Sequence, residues 1–85
     1  MTYHTALWMT IDYITNSKKI SKYKLAQTCS LDSTTFNPSK QCTSLGQPRW
    51  ISTETLAKIL INTNTSPIEF AEIFQSFLDM QEIIE

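Results

Sequence analysis

Apolar side chains fall at helical spacing in five stretches of this chain, and the residues between them are of kinds that start, end or interrupt helices. Leu7, Trp8, Ile11 and Ile14 form one stripe over about residues 5–16. Ser21 is placed to cap a second helix, with Ile20 before it and Leu25 four positions inside, the spacing of a hydrophobic staple. Asp32 can cap a third, which Pro38 should leave short or kinked after Asn37, because proline has no N–H for the helical ladder. Residues 39–51 read as an extended polar loop that contains Gly46 and Pro48 and closes on Arg49 and Trp50. A fourth helix opens at Ser52 or Thr53 and carries Leu56, Ala57, Ile59 and Leu60, with a break at 62–65. Ser66, Pro67 and Glu69 then stand as cap, first-position proline and capping-box acid of a fifth. Phe70, Ile73, Phe74, Phe77 and Leu78 give that last helix a wide apolar face. The expected fold is all-α, a compact five-helix bundle over residues 1–85, one domain with one core.

Within this pattern the stretch from Leu25 to Lys40 has the layout of two short helices joined by a tight turn, so a helix-turn-helix is expected over about 21–40. Leu25, Ala26 and Cys29 line the inner face of the first helix, Leu31 plugs the turn and Phe36 anchors the second. Ser33, Thr34 and Asn37 are left facing outward. Short polar side chains on an exposed helix are what base edges in the major groove require, and these three are the expected base-reading residues.

Charge strengthens that reading because it is unevenly divided. From Ser17 to Ile51, Lys18, Lys19, Lys22, Lys24, Lys40 and Arg49 stand against Asp32 alone, a net +5, whereas Ser52 to Glu85 sums to −5 and Asp12 completes the total of −1. The basic half holds the outward polar set, where a phosphate-facing surface belongs. Lys18, Lys19, Lys40 and Arg49 are expected to add affinity independent of sequence. Cys29 and Cys42, without CxxC spacing, are expected as reduced thiols. No apolar run approaches membrane-spanning length and no leader pattern follows Met1, so a cytoplasmic protein is expected. With His4 as the only histidine and no glycine-rich loop, neither an enzyme, a cofactor, a metal site nor a small-molecule ligand is expected. His4 is expected exposed at a fraying terminus, and Trp8, Trp50, Leu56 and Leu60 are expected in the core.

At LAQTCSLDSTTFN, supported by STETLAKIL and SPIEF, the chain resembles the lambda-repressor-like, Cro/CI-type helix-turn-helix regulators of bacteria and phages, over about Leu7 to Phe74. TTFNPSK with the later RW looks closest to a prophage-repressor-like subgroup. The resemblance implies a nucleoid-associated regulator, expected to repress, that grips the sugar-phosphate backbone through Ser21, Lys22 and Tyr23. It implies a homodimer on a pseudo-palindromic double-stranded operator, with Phe74, Phe77 and Leu78 as the expected seam. Such modules often precede a self-cleaving peptidase domain, so the expectation is either a portion of a longer repressor or a small stand-alone regulator. Where the family commonly has glycine at the turn, this chain has Ser30. The alternative is a protein-interaction module that docks through Phe74, Phe77, Leu78, Ile83 and Ile84 without specific DNA binding.

Overall fold

A hydroxyl begins every α-helix of this chain. Thr2 accepts from the Thr5 N–H (3.2 Å), Ser21 from Lys24 (3.0 Å), Ser52 from Thr55 (3.0 Å) and Ser66 from Glu69 (3.0 Å), each satisfying a donor that the helix cannot. The helices so begun, in a computed structural model that describes residues 2–84 and the side chains of 2–80, are α1 (Tyr3–Ser17), α2 (Lys22–Thr28), α3 (Thr53–Asn62) and α4 (Pro67–Ile84). Among the described residues there is no strand, and no helix is long and apolar enough to cross a membrane.

The first three helices end alike. Lys19, Ser30 and Asn64 take φ of 58°, 59° and 54°. The next N–H then folds back: Ile20 to the Thr15 carbonyl (3.0 Å), Leu31 to Ala26 (2.8 Å) and Thr65 to Leu60 (2.9 Å). This is the Schellman closure, made here three times without glycine, at positions where a Cβ is strained.

α1 packs along α4, and α2 packs on α3. Leu7, Trp8, Ile11, Leu25, Ala26, Cys29, Phe36 and Ile59 form the central cluster, with Ile20, Leu31, Ile51 and Phe70 against its margin. All four residues of the first stripe are buried, as are the three inner residues of α2 and its end, Leu25, Ala26 and Cys29. Both thiols are free, Cys29 buried and Cys42 exposed. Four threonines are also buried, and each is satisfied locally. Thr10 donates to the Ala6 carbonyl (2.7 Å), Thr15 to Asp12 (2.9 Å) and Thr63 to Ile59 (2.7 Å), while Thr65 meets the Thr63 hydroxyl at 2.8 Å.

The α-helix expected from Asp32 is absent. Residues 33–36 are consecutive turns, bonded Thr35 N–H to Asp32 carbonyl and Asn37 N–H to Thr34 carbonyl, both 3.0 Å, followed by a short 3-10 helix, Pro38–Lys40. Side chains that compete for the backbone explain this. Asp32 Oδ1 accepts from both the N–H (2.9 Å) and the hydroxyl (2.7 Å) of Thr34, and the Thr35 hydroxyl donates to the Asp32 carbonyl at 2.6 Å. Pro38 then disfavours helical backbone at Asn37, which is extended at φ −67°, ψ 147°. Four α-helices and this turn stand where five helices are expected.

Candidate nucleic-acid interface

The turn over 32–37 is anchored from inside and polar outside. Phe36 is 1% exposed in the central cluster, while Ser33, Thr34 and Asn37 are all exposed. An i→i+3 turn places a single apolar side chain inward and turns its short neighbours out, so burial of one phenyl ring orients three polar groups. The Thr34 hydroxyl, the Thr34 N–H and the charge of Lys40 together hold the Asp32 carboxyl below its ordinary value. The aspartate is therefore an ionised clamp at the start of the segment.

Residues 41–49 return as a tight hairpin. Thr43 N–H donates to the Gln47 carbonyl (2.8 Å), Gly46 N–H to Thr43 (2.9 Å) and Arg49 N–H to Gln41 (2.9 Å), with an isolated bridge between Cys42 and Pro48. Gly46, at φ 81°, occupies the left-handed position that such a loop needs. Two side chains of α1 hold the hairpin. His4 Nε2 lies 2.8 Å from the Gln41 carbonyl and 3.1 Å from that of Arg49, and Trp8 Nε1 lies 3.1 Å from the Arg49 carbonyl. Carbonyls only accept, so His4 carries its proton on Nε2, and the Trp8 N–H donates to Arg49 rather than to the ring. His4, expected to be exposed and frayed, is half-buried at the centre of this clasp.

Trp50 also departs from expectation. It is 56% exposed and meets His4 edge-on at 5.3 Å between ring centroids. Its neighbour Ile51 takes the inward place, packed against the core. Leu56 and Leu60 are half-buried.

Turn, hairpin and α3 enclose a cleft of about 330 Å³ that brings Thr34, Lys40 and Arg49 together with Asp32 and Trp50. Three of the residues expected on a nucleic-acid surface thus line one cleft. Lys18, Lys19 and Tyr23 lie at the junction of α1 and α2 and do not line it; all three are exposed. Tyr23 accepts from Gln27 Nε2 at 3.3 Å. Ser21 is occupied as the α2 cap, and Lys22 pairs with Asp12 of α1 at 3.0 Å. That ion pair stands apart from the clustered cations.

On α4, Phe74 meets Tyr3 edge-on at 5.5 Å and Phe77 meets Tyr13 at 6.3 Å. The α1 tyrosines therefore take part of the apolar face expected at a dimer seam, and Phe74, Phe77 and Leu78 are half-buried within one chain. The side chains of Ile83 and Ile84 lie outside the described residues. Sequence reasoning missed the cleft; an Arg-Trp pair closing a polar loop was its one local signal.

Comparison with protein-family models, with curated proteins and with solved structures gave no match to this chain.

Proposed function

We propose that this chain binds double-stranded DNA sequence-specifically, as a transcriptional regulator that resembles the Cro/CI type but carries, in place of the second helix of the expected helix-turn-helix over 21–40, the turn and 3-10 helix of residues 32–40 as its reading element. The observation that carries the reading is the contrast along one turn, with Phe36 buried and Ser33, Thr34 and Asn37 exposed, and with Thr34 sharing a cleft with the cations Lys40 and Arg49. Asn37 can make two hydrogen bonds to adenine, the Ser33 and Thr34 hydroxyls can donate or accept, and a threonine methyl can touch that of thymine. Lys18, Lys19, Lys40 and Arg49 supply attraction to phosphates without sequence information. A turn reads fewer base pairs than a full helix, so useful discrimination calls for two copies on a two-fold site.

Labelled duplexes drawn from a random pool, titrated by anisotropy at rising salt, test this. A duplex enriched from that pool that binds at least about tenfold more tightly than the pool at the same salt supports it, with affinity falling on a log–log slope of about −0.9 for each phosphate neutralised. Absence of duplex binding at low salt contradicts it.

A second reading has one observation in its favour. Ile61, 77% exposed, lines a groove with Leu60 and Pro67 at the corner of α3 and α4, where a protein partner can dock. Retention of such a partner by a chain with no affinity for DNA would favour it.

A further inference from the structure

The cleft between the 32–37 turn, the hairpin and the start of α3 differs from the rest of the basic surface in being concave and aromatic. Its volume, about 330 Å³, is at the lower end of small-molecule sites. Trp8 and Trp50 both line it; the first is buried and fixed by its bond to Arg49, the second leaves more than half of its surface open. Lys40 and Arg49 reach the same space, and neither has an ion-pair partner among the described residues. Asp32 supplies the opposite sign. Its Oδ1 is taken by Thr34, while Oδ2 makes no hydrogen bond among the described residues and is free to accept one.

An indole face offers stacking to a flat ring, two cations offer charge pairing to an anion, and a carboxylate oxygen offers an acceptor to a ring N–H or amine. We propose that this cleft binds one planar aromatic anion bearing an N–H donor, a description that a purine nucleoside monophosphate satisfies, with its ring on Trp50 and its phosphate toward Lys40 and Arg49. The space takes one ring system with one charged substituent. Thr34, Lys40 and Arg49 belong both to this lining and to the proposed DNA face, so an occupied cleft and a bound duplex exclude each other. That exclusion rests on the proposed function; the site itself rests on the cleft alone.

Isothermal titration calorimetry reads binding at the site without a label and without using Trp50, itself a test position, as the reporter. The probe is guanosine 5′-monophosphate, titrated into the intact chain without DNA, with guanosine and inorganic phosphate as separate arms. Saturable binding of the nucleotide is expected, with each half alone weaker by at least about tenfold. Trp50→Ala and Arg49→Ala, both at exposed positions, should each weaken it by at least about tenfold while the helical circular dichroism stays unchanged. No saturable binding up to about 5 mM nucleotide, or no effect of either variant, overturns the site. A nucleotide unstacked from a DNA strand carries the same chemistry. A single-stranded oligonucleotide that binds more tightly than the free nucleotide and loses this with Trp50→Ala assigns the cleft to a strand; weaker binding assigns it to the free nucleotide. Displacement of a bound duplex by the nucleotide supports the exclusion, and a ternary complex overturns it. Nucleotide binding by a chain with no duplex affinity supports the site and counts against the DNA reading instead.

Discussion

The indole N–H of Trp8 donates to the carbonyl of Arg49, forty-one residues further along the chain, at 3.1 Å. With His4 on the Gln41 carbonyl, this bond ties the free end of the hairpin to α1 and fixes where Arg49 and Trp50 stand. His4→Ala removes one member of the clasp. The expected loss is about 1 kcal/mol, typical of one net hydrogen bond, read in urea unfolding. The expected local effect is faster hydrogen exchange at the Arg49 N–H, with the α4 amides unchanged. Unchanged exchange at Arg49 would show that the clasp does not hold the hairpin.

Ser30 holds the turn between α2 and the reading segment at φ 59°, a conformation that costs a residue with a Cβ roughly 1 kcal/mol. Ser30→Gly should therefore raise stability by up to about 1 kcal/mol, and Ser30→Val, with a branched Cβ, should lower it. Denaturation midpoints of the two variants moving in opposite directions is the expected result. A loss from glycine would mean that the serine side chain stabilises the turn through another contact.

How far the sequence predicted the structure differs from residue to residue, for physical reasons. The caps Ser21, Ser52 and Ser66 were legible because a hydroxyl and the N–H three residues on are a local pair. Leu25, Ala26, Cys29 and Phe36 were legible because one buried face imposes its period on the chain. The helix that spacing predicts from Asp32 does not form, because spacing says nothing of the bonds that Asp32 makes with Thr34 and Thr35 in place of the helical ladder. His4 and Trp50 lie where sequence pattern does not put them, because their surroundings are made by a hairpin that returns from far along the chain. Tyr3 and Tyr13 of α1 meet Phe74 and Phe77 of α4 within one chain, a pairing between distant helices that the spacing along α4 alone does not announce.

Asp32 links the reading turn to pH. Its folded carboxyl titrates below its ordinary value of 3.8, chiefly because the Thr34 hydroxyl and N–H favour the ionised form. A carboxyl lowered by folding contributes stability that is complete above 3.8 and lost as pH falls through the lower folded value. Wild type should therefore exceed Asp32→Asn in Tm near neutral pH, and the gap should close in acid below 3.8. A gap that is the same at every pH would remove the charge from the explanation.

Base reading by the 32–40 turn is tested most directly by the affinity of Asn37→Ala for two duplexes, one selected by the wild-type chain from a random pool and one of random sequence, at the same salt. Asn37 is exposed and its side chain makes no cap bond, so the substitution leaves the fold in place. The expected loss is about 1 to 3 kcal/mol on the selected duplex and little on the random one. Equal losses on both duplexes, or none on either, would contradict a base-reading role for this turn.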